Sequence, residues 1–86
     1  MAVLLGAINP LNAKSKKNQS NLNKAILWGR KYNILNDQRD IADGNGDERL
    51  YRKLNRQCEV AFDKHLEYLH ELPKSEQKRV EKLVFG

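Results

Sequence analysis

The run from Asp47 to Leu72, DERLYRKLNRQCEVAFDKHLEYLHEL, decides the fold. With Leu50 at zero and an advance of about 100° per residue, its apolar positions gather on one side. Leu50, Tyr51, Leu54, Cys58, Ala61, Phe62, His65, Leu66, Tyr68, Leu69 and Leu72 fall within an arc of roughly 160°, the width of a core-facing helical stripe. Arg49, Arg52, Lys53, Arg56, Asp63, Lys64 and Glu67 fall opposite. No period of two fits the run, and neither Gly nor Pro interrupts it before Pro73. One long amphipathic helix is therefore expected at about 47–72.

Working outward, the residues just before it read DGNGD (43–47), a strong turn signal. Gly44 or Gly46 can take the left-handed conformation that closes a helix, and Asp47 can cap the next one. Glu48 adds negative charge where the helix dipole favours it. Upstream, Ala25, Trp28, Tyr32, Leu35 and Ala42 recur at helical spacing, and Leu27, Ile34 and Ile41 form a second row seven apart. A helix at about 21–42 accommodates both rows, with Ser20 as its N-cap. Gly29 inside it carries a penalty of about 1 kcal/mol against alanine. A turn this short makes the two helices antiparallel neighbours. Beyond Pro73, Ser75 caps a short helix at about 75–84 whose apolar face is Val80, Leu83 and Val84.

The N-terminal residues 1–19 read as an apolar arm, MAVLLGAI, followed by a polar linker with Lys14, Lys16 and Lys17. The arm lacks the basic start and small-residue cleavage site of a signal peptide. Eight apolar residues fall short of the roughly 20 needed to span a bilayer. The arm is expected to cover the helical core. The whole is one small all-α domain (1–86): an antiparallel helical hairpin, a short C-terminal helix and the N-terminal arm.

Composition narrows the function classes. A charged fraction of 31% beside a hydrophobic fraction of 40% suits a folded surface. The net charge of +5 favours anionic partners. One cysteine excludes an intrachain disulfide and fits a reducing compartment, so a cytoplasmic location is expected.

No arrangement on the chain points to catalysis, a cofactor or a metal. Asp43, Asn45 and Asp47 match the opening of a calcium loop, but Glu48 and Leu54 stand where that loop needs glycine and a bidentate acid. Cys58 and His65 share the apolar arc, but a zinc site needs two further ligands and His70 projects from the other face. A Cys–His nucleophile lacks an orienting acid. Cys58 is expected to pack as a small apolar residue, and His65 as a hydrogen-bonded core histidine. A helix-turn-helix alignment on Ala42 and Gly46 puts Asp47, Arg52 and Asn55 at positions that motif buries, so no recognition helix is expected. Leu50-Tyr51-Arg52, extended by Leu54 and Arg56, resembles the signature of the LYR-motif family, small basic helical assembly factors and accessory subunits of mitochondria. In that family the tripeptide lies on the first helix near the chain start. Here it opens the second helix, and no role is carried over.

The candidate site is the basic face of the central helix. Arg49, Arg52, Lys53 and Arg56 project outward from its first half, and Arg49–Lys53 and Arg52–Arg56 are like-charge pairs of the kind that mildly destabilise a helix. Lys24, Arg30 and Lys31 of the facing helix extend the patch. Trp28, Tyr32 and Val60 are the candidate apolar contacts. Two partner classes fit. The first is a protein partner or larger assembly, on which the hairpin docks as a non-enzymatic accessory or regulatory factor. The second is nucleic acid, with the cations on phosphates and Trp28 or Tyr32 stacking on bases. The helix expected at about 21–42 carries more apolar surface than one neighbour can cover, so a homodimeric four-helix bundle is a further arrangement the pattern allows.

Overall fold

In a computed structural model, which describes the backbone from Ala2 and the side chains from Lys16 onward, the chain forms three helices. They are α1 (Ala2–Gly44), α2 (Glu48–His70) and α3 (Lys74–Phe85), with no strand among the described residues. None of the helices searched among the described residues is long and apolar enough to cross a membrane.

The DGNGD turn is built as its residues require. Gly46 takes φ 72°, and with it the backbone N–H groups of Gly46 and Asp47 donate to the carbonyls of Asp43 and Ala42, at 3.1 and 3.0 Å. This pair of bonds satisfies carbonyls that the end of α1 would leave open. The Asp47 carboxylate then accepts from the Leu50 N–H at 3.1 Å, capping α2 as expected.

The hairpin is antiparallel: Ala25 meets His65, Tyr32 meets Phe62 and Arg39 meets Asn55. The buried row of α2 is Leu54, Cys58, Ala61, His65 and Leu69, spaced in steps of three or four. Leu50, at the edge of the expected arc, and Tyr51, inside the arc but in the first turn of α2, remain exposed. Opposite that row α1 presents Ala25 and Ala42, both fully buried, so the backbones approach closely.

Several local expectations need correction. Helix α1 begins well before residue 21, and Ser20 lies inside it. Lys16 to Ser20 are exposed helical residues running past the end of α2, with no breaker among them and Gln19 bonded to Asn23 one turn on at 3.1 Å. The stretch expected as linker is thus helical backbone; whether the apolar residues of the N-terminal arm cover the core concerns side chains outside the described residues. Ser75 does not cap α3, because the helix starts at Lys74 and Pro73 takes the cap position with φ −57° and ψ 151°. Proline holds that extended geometry by its ring. Leu83 is exposed, so the buried face of α3 is Val80 and Val84, and Phe85 adds an aromatic edge.

Helix α3 closes the open end of the hairpin. Ala25, Leu69, Leu72, Val80 and Val84 form one buried cluster. The Asn33 amide donates to the Val84 carbonyl at 2.8 Å, and the Gln77 amide donates to the Leu72 carbonyl at 2.8 Å. Gly29 explains its own presence here: a Cβ on it would lie 2.7 Å from Val84 Cγ1 and 3.0 Å from His65 Nδ1. Three helices cross at that glycine.

Candidate docking groove on the hairpin

The two long helices leave a shallow channel along each side, and the two channels differ in chemistry. On one side Trp28, Lys31 and Leu35 of α1 face Lys53, Arg56 and Val60 of α2 around a cleft of about 450 Å³, with Ala61 below. Its walls are apolar and its lining charges are all positive. On the other side Tyr32, Arg39, Cys58 and Phe62 border a cleft of about 380 Å³ that also carries Glu59 and Asp63.

The expected site residues divide between these surfaces. Trp28, Lys31, Lys53, Arg56 and Val60 come together in the first groove. Val60, expected as a candidate apolar contact, is 56% exposed and sits across from Trp28 and Leu35. The remaining cations stand elsewhere. Arg52 reaches Glu48 at 3.7 Å in an exposed pair of the kind that contributes little. Lys24 lies over the Tyr68 ring, 5.2 Å from its centroid. Arg49 and Arg30 are exposed and line neither groove.

The two aromatic candidates also part. Tyr32 belongs to the second side, with its ring 5.1 Å from Phe62 and 6.3 Å from Phe85. Trp28 is half-buried in the first groove, and Lys31 Nζ sits 4.8 Å from its ring centroid. A lysine in that position is held by the negative face of the indole.

The histidine and cysteine occupy the core as expected. The His65 side chain is 1% exposed, and its Nδ1 lies 2.7 Å from the Ala25 carbonyl. A carbonyl only accepts, so Nδ1 carries the proton. Phe62 and Phe85 flank the ring at 6.0 and 5.4 Å. Burial pushes the Cys58 thiol above its ordinary range; Arg39 opposes that rise and Asp40 adds to it. Neither Arg39 nor Asn36 is among the expected site residues. Arg39 donates to Asn55 Oδ1 at 2.8 Å and to Asn36, linking the helices on the second side. No period in the sequence marks that link, since it depends on the register of two helices.

A third feature lies on the back of α1. Leu27, Ile34 and Ile41 are 64%, 59% and 64% exposed. Their seven-residue spacing places them in one row, facing away from the side of α1 that α2 covers. Ile41 also meets Leu50 at a smaller cleft of about 240 Å³ near the turn.

No protein-family model matches the chain, and no significant match emerges among curated proteins or solved structures.

Proposed function

We propose that this chain is a non-enzymatic interaction protein, an accessory or regulatory factor whose helical hairpin docks on a protein partner or larger assembly. The observation that carries the reading is the uncovered row of Leu27, Ile34 and Ile41, three large aliphatic side chains exposed on one helix. Apolar surface gathered in a row, rather than scattered singly, is what an interface leaves when its partner is missing. A free, buried Cys58 fits a reducing compartment, and we place the protein in the cytoplasm.

Nucleic-acid binding is the alternative, favoured by the three cations of the groove. It loses the stacking contribution, because Lys31 covers a face of Trp28 and Tyr32 is packed between aromatic neighbours. The two readings separate in a capture experiment with and without nuclease, run on the natural chain, on Ile34→Glu and on Arg52→Glu/Arg56→Glu. Docking on protein predicts a specific partner that survives nuclease and is lost with Ile34→Glu. Loss of every partner on nuclease treatment contradicts the proposal. A homodimer is read directly from the mass by light scattering at micromolar concentration.

A further inference from the structure

We infer that the groove between α1 and α2 receives an acidic, amphipathic helical segment of a partner protein. The inference rests on the docking reading above and gives that partner its chemistry. Trp28, Leu35, Val60 and Ala61 offer an apolar floor and wall, while Lys31, Lys53 and Arg56 stand along the rim. No carboxylate lines the cleft, and none of the ion pairs among the described residues uses Lys31, Lys53 or Arg56. Their neighbours Arg52 and Lys64, by contrast, are paired with Glu48 and Glu67. A rim of unpaired cations above an apolar floor is complementary to a helix with aliphatic anchors and flanking Asp or Glu.

The length of the surface suits such a helix. Trp28, Lys31, Leu35, Gln38 and Ala42 follow one another in steps of three and four, so they share one side of α1. That side leads from the groove to the smaller cleft where Ile41 and Leu50 are exposed. From Trp28 to Ala42 the helical rise gives about 20 Å, matched by an occupant of about four turns.

Other occupants fit less well. A second copy docked symmetrically would set Lys31, Lys53 and Arg56 against themselves. A phosphate backbone would pair with the rim and leave the apolar floor uncovered. A carboxylate can pair with Lys31 where it lies over Trp28, without moving it.

The test is selection of a random 16-residue peptide library displayed on phage against the full chain. A winning peptide is then synthesised and titrated with Trp28 fluorescence as readout. The expected winners carry net negative charge and apolar residues at i, i+3 or i+4, and i+7. Their affinity should fall at least tenfold on Lys53→Glu/Arg56→Glu, whose sites are exposed, and on Val60→Asp, with unchanged helical circular dichroism. Glu59→Lys/Asp63→Lys, on the other side of the hairpin, should leave it intact. Basic or neutral winners, no enrichment, or affinity indifferent to Lys53→Glu/Arg56→Glu would overturn the assignment. So would a fifteen-residue thymidine oligonucleotide that binds more tightly than the winning peptide and is lost with the same double substitution. If the library fails while Ile34→Glu still removes a nuclease-resistant partner, the groove assignment falls and the docking reading stands. If the library succeeds and no such partner exists, the docking reading falls in its turn.

Discussion

His65 Nδ1 donates a hydrogen bond to the backbone carbonyl of Ala25 at 2.7 Å, joining residues forty positions apart across the hairpin. The bond ties α2 to α1 within four residues of Gly29, where α3 also arrives. Replacing His65 with phenylalanine keeps most of the ring volume and removes the bond. The expected loss is about 1 kcal/mol, the net worth of one such bond. His65→Ala also opens a cavity between three helices, and about 3 kcal/mol is expected by analogy with buried ring truncations. Urea unfolding followed by circular dichroism measures both, and a long-range ¹⁵N–¹H spectrum should find a proton on Nδ1. A ring protonated only at Nε2 contradicts the assigned bond.

Gly29 and Gly44 make an internal comparison. Both lie on α1, and neither has a positive φ. At an open helical site, alanine in place of glycine gains up to about 1 kcal/mol. Gly44 has nothing within 4 Å of an added Cβ, so Gly44→Ala should be neutral or stabilising. Gly29→Ala should destabilise, because the methyl meets Val84 Cγ1 at 2.7 Å and neither that short side chain nor the His65 ring can swing clear. Thermal melting of the two variants should therefore move in opposite directions, or at least differ by several degrees. Gly29→Ala melting at or above the natural chain removes the three-helix crossing from the account.

The buried thiol of Cys58 gives a pH dependence of known sign. Burial raises its pKa in the folded chain, so as pH climbs the unfolded chain releases the proton first. The stabilisation held by the neutral thiol is complete below the unfolded value of about 8.5 and declines above it, until the folded thiol also ionises. Comparing urea midpoints at neutral and alkaline pH for the natural chain and Cys58→Ala isolates this contribution from other groups. The natural chain should lose more. Its thiol should also react slowly with a disulfide reagent until urea unfolds the chain, and rapid reaction of the folded protein would show that Cys58 is not enclosed.

How much of this was legible beforehand depends on whether one helix or several had to be known. The α2 stripe, the Asp47 cap and the Gly46 turn each rest on local chemistry, and the structure follows them. The core assignments of Cys58 and His65 follow from the same stripe. What stayed hidden needs a second helix in register. Gly29 looks like a defect until Val84 and His65 are placed beside it. Val60 looks isolated until Trp28 and Leu35 face it. The basic face looked like one patch of seven cations because sequence spacing cannot report that Arg52 turns to Glu48, or Lys24 to Tyr68. The start of α1 was misplaced because polar residues at 16–20 carry no apolar period, although nothing in them stops a helix.

A hairpin that docks on another protein can be caught on that partner by photocrosslinking in living cells. A photoreactive benzoylphenylalanine placed at Ile34 sits on the exposed row of α1, and the same group at Arg79 sits on the exposed surface of α3 as a control. Docking on protein should give a discrete, nuclease-resistant adduct to a different protein at position 34 and none of comparable yield at position 79. Adducts only to nucleic acid, only to a second copy of this chain, or equally at both positions would contradict it.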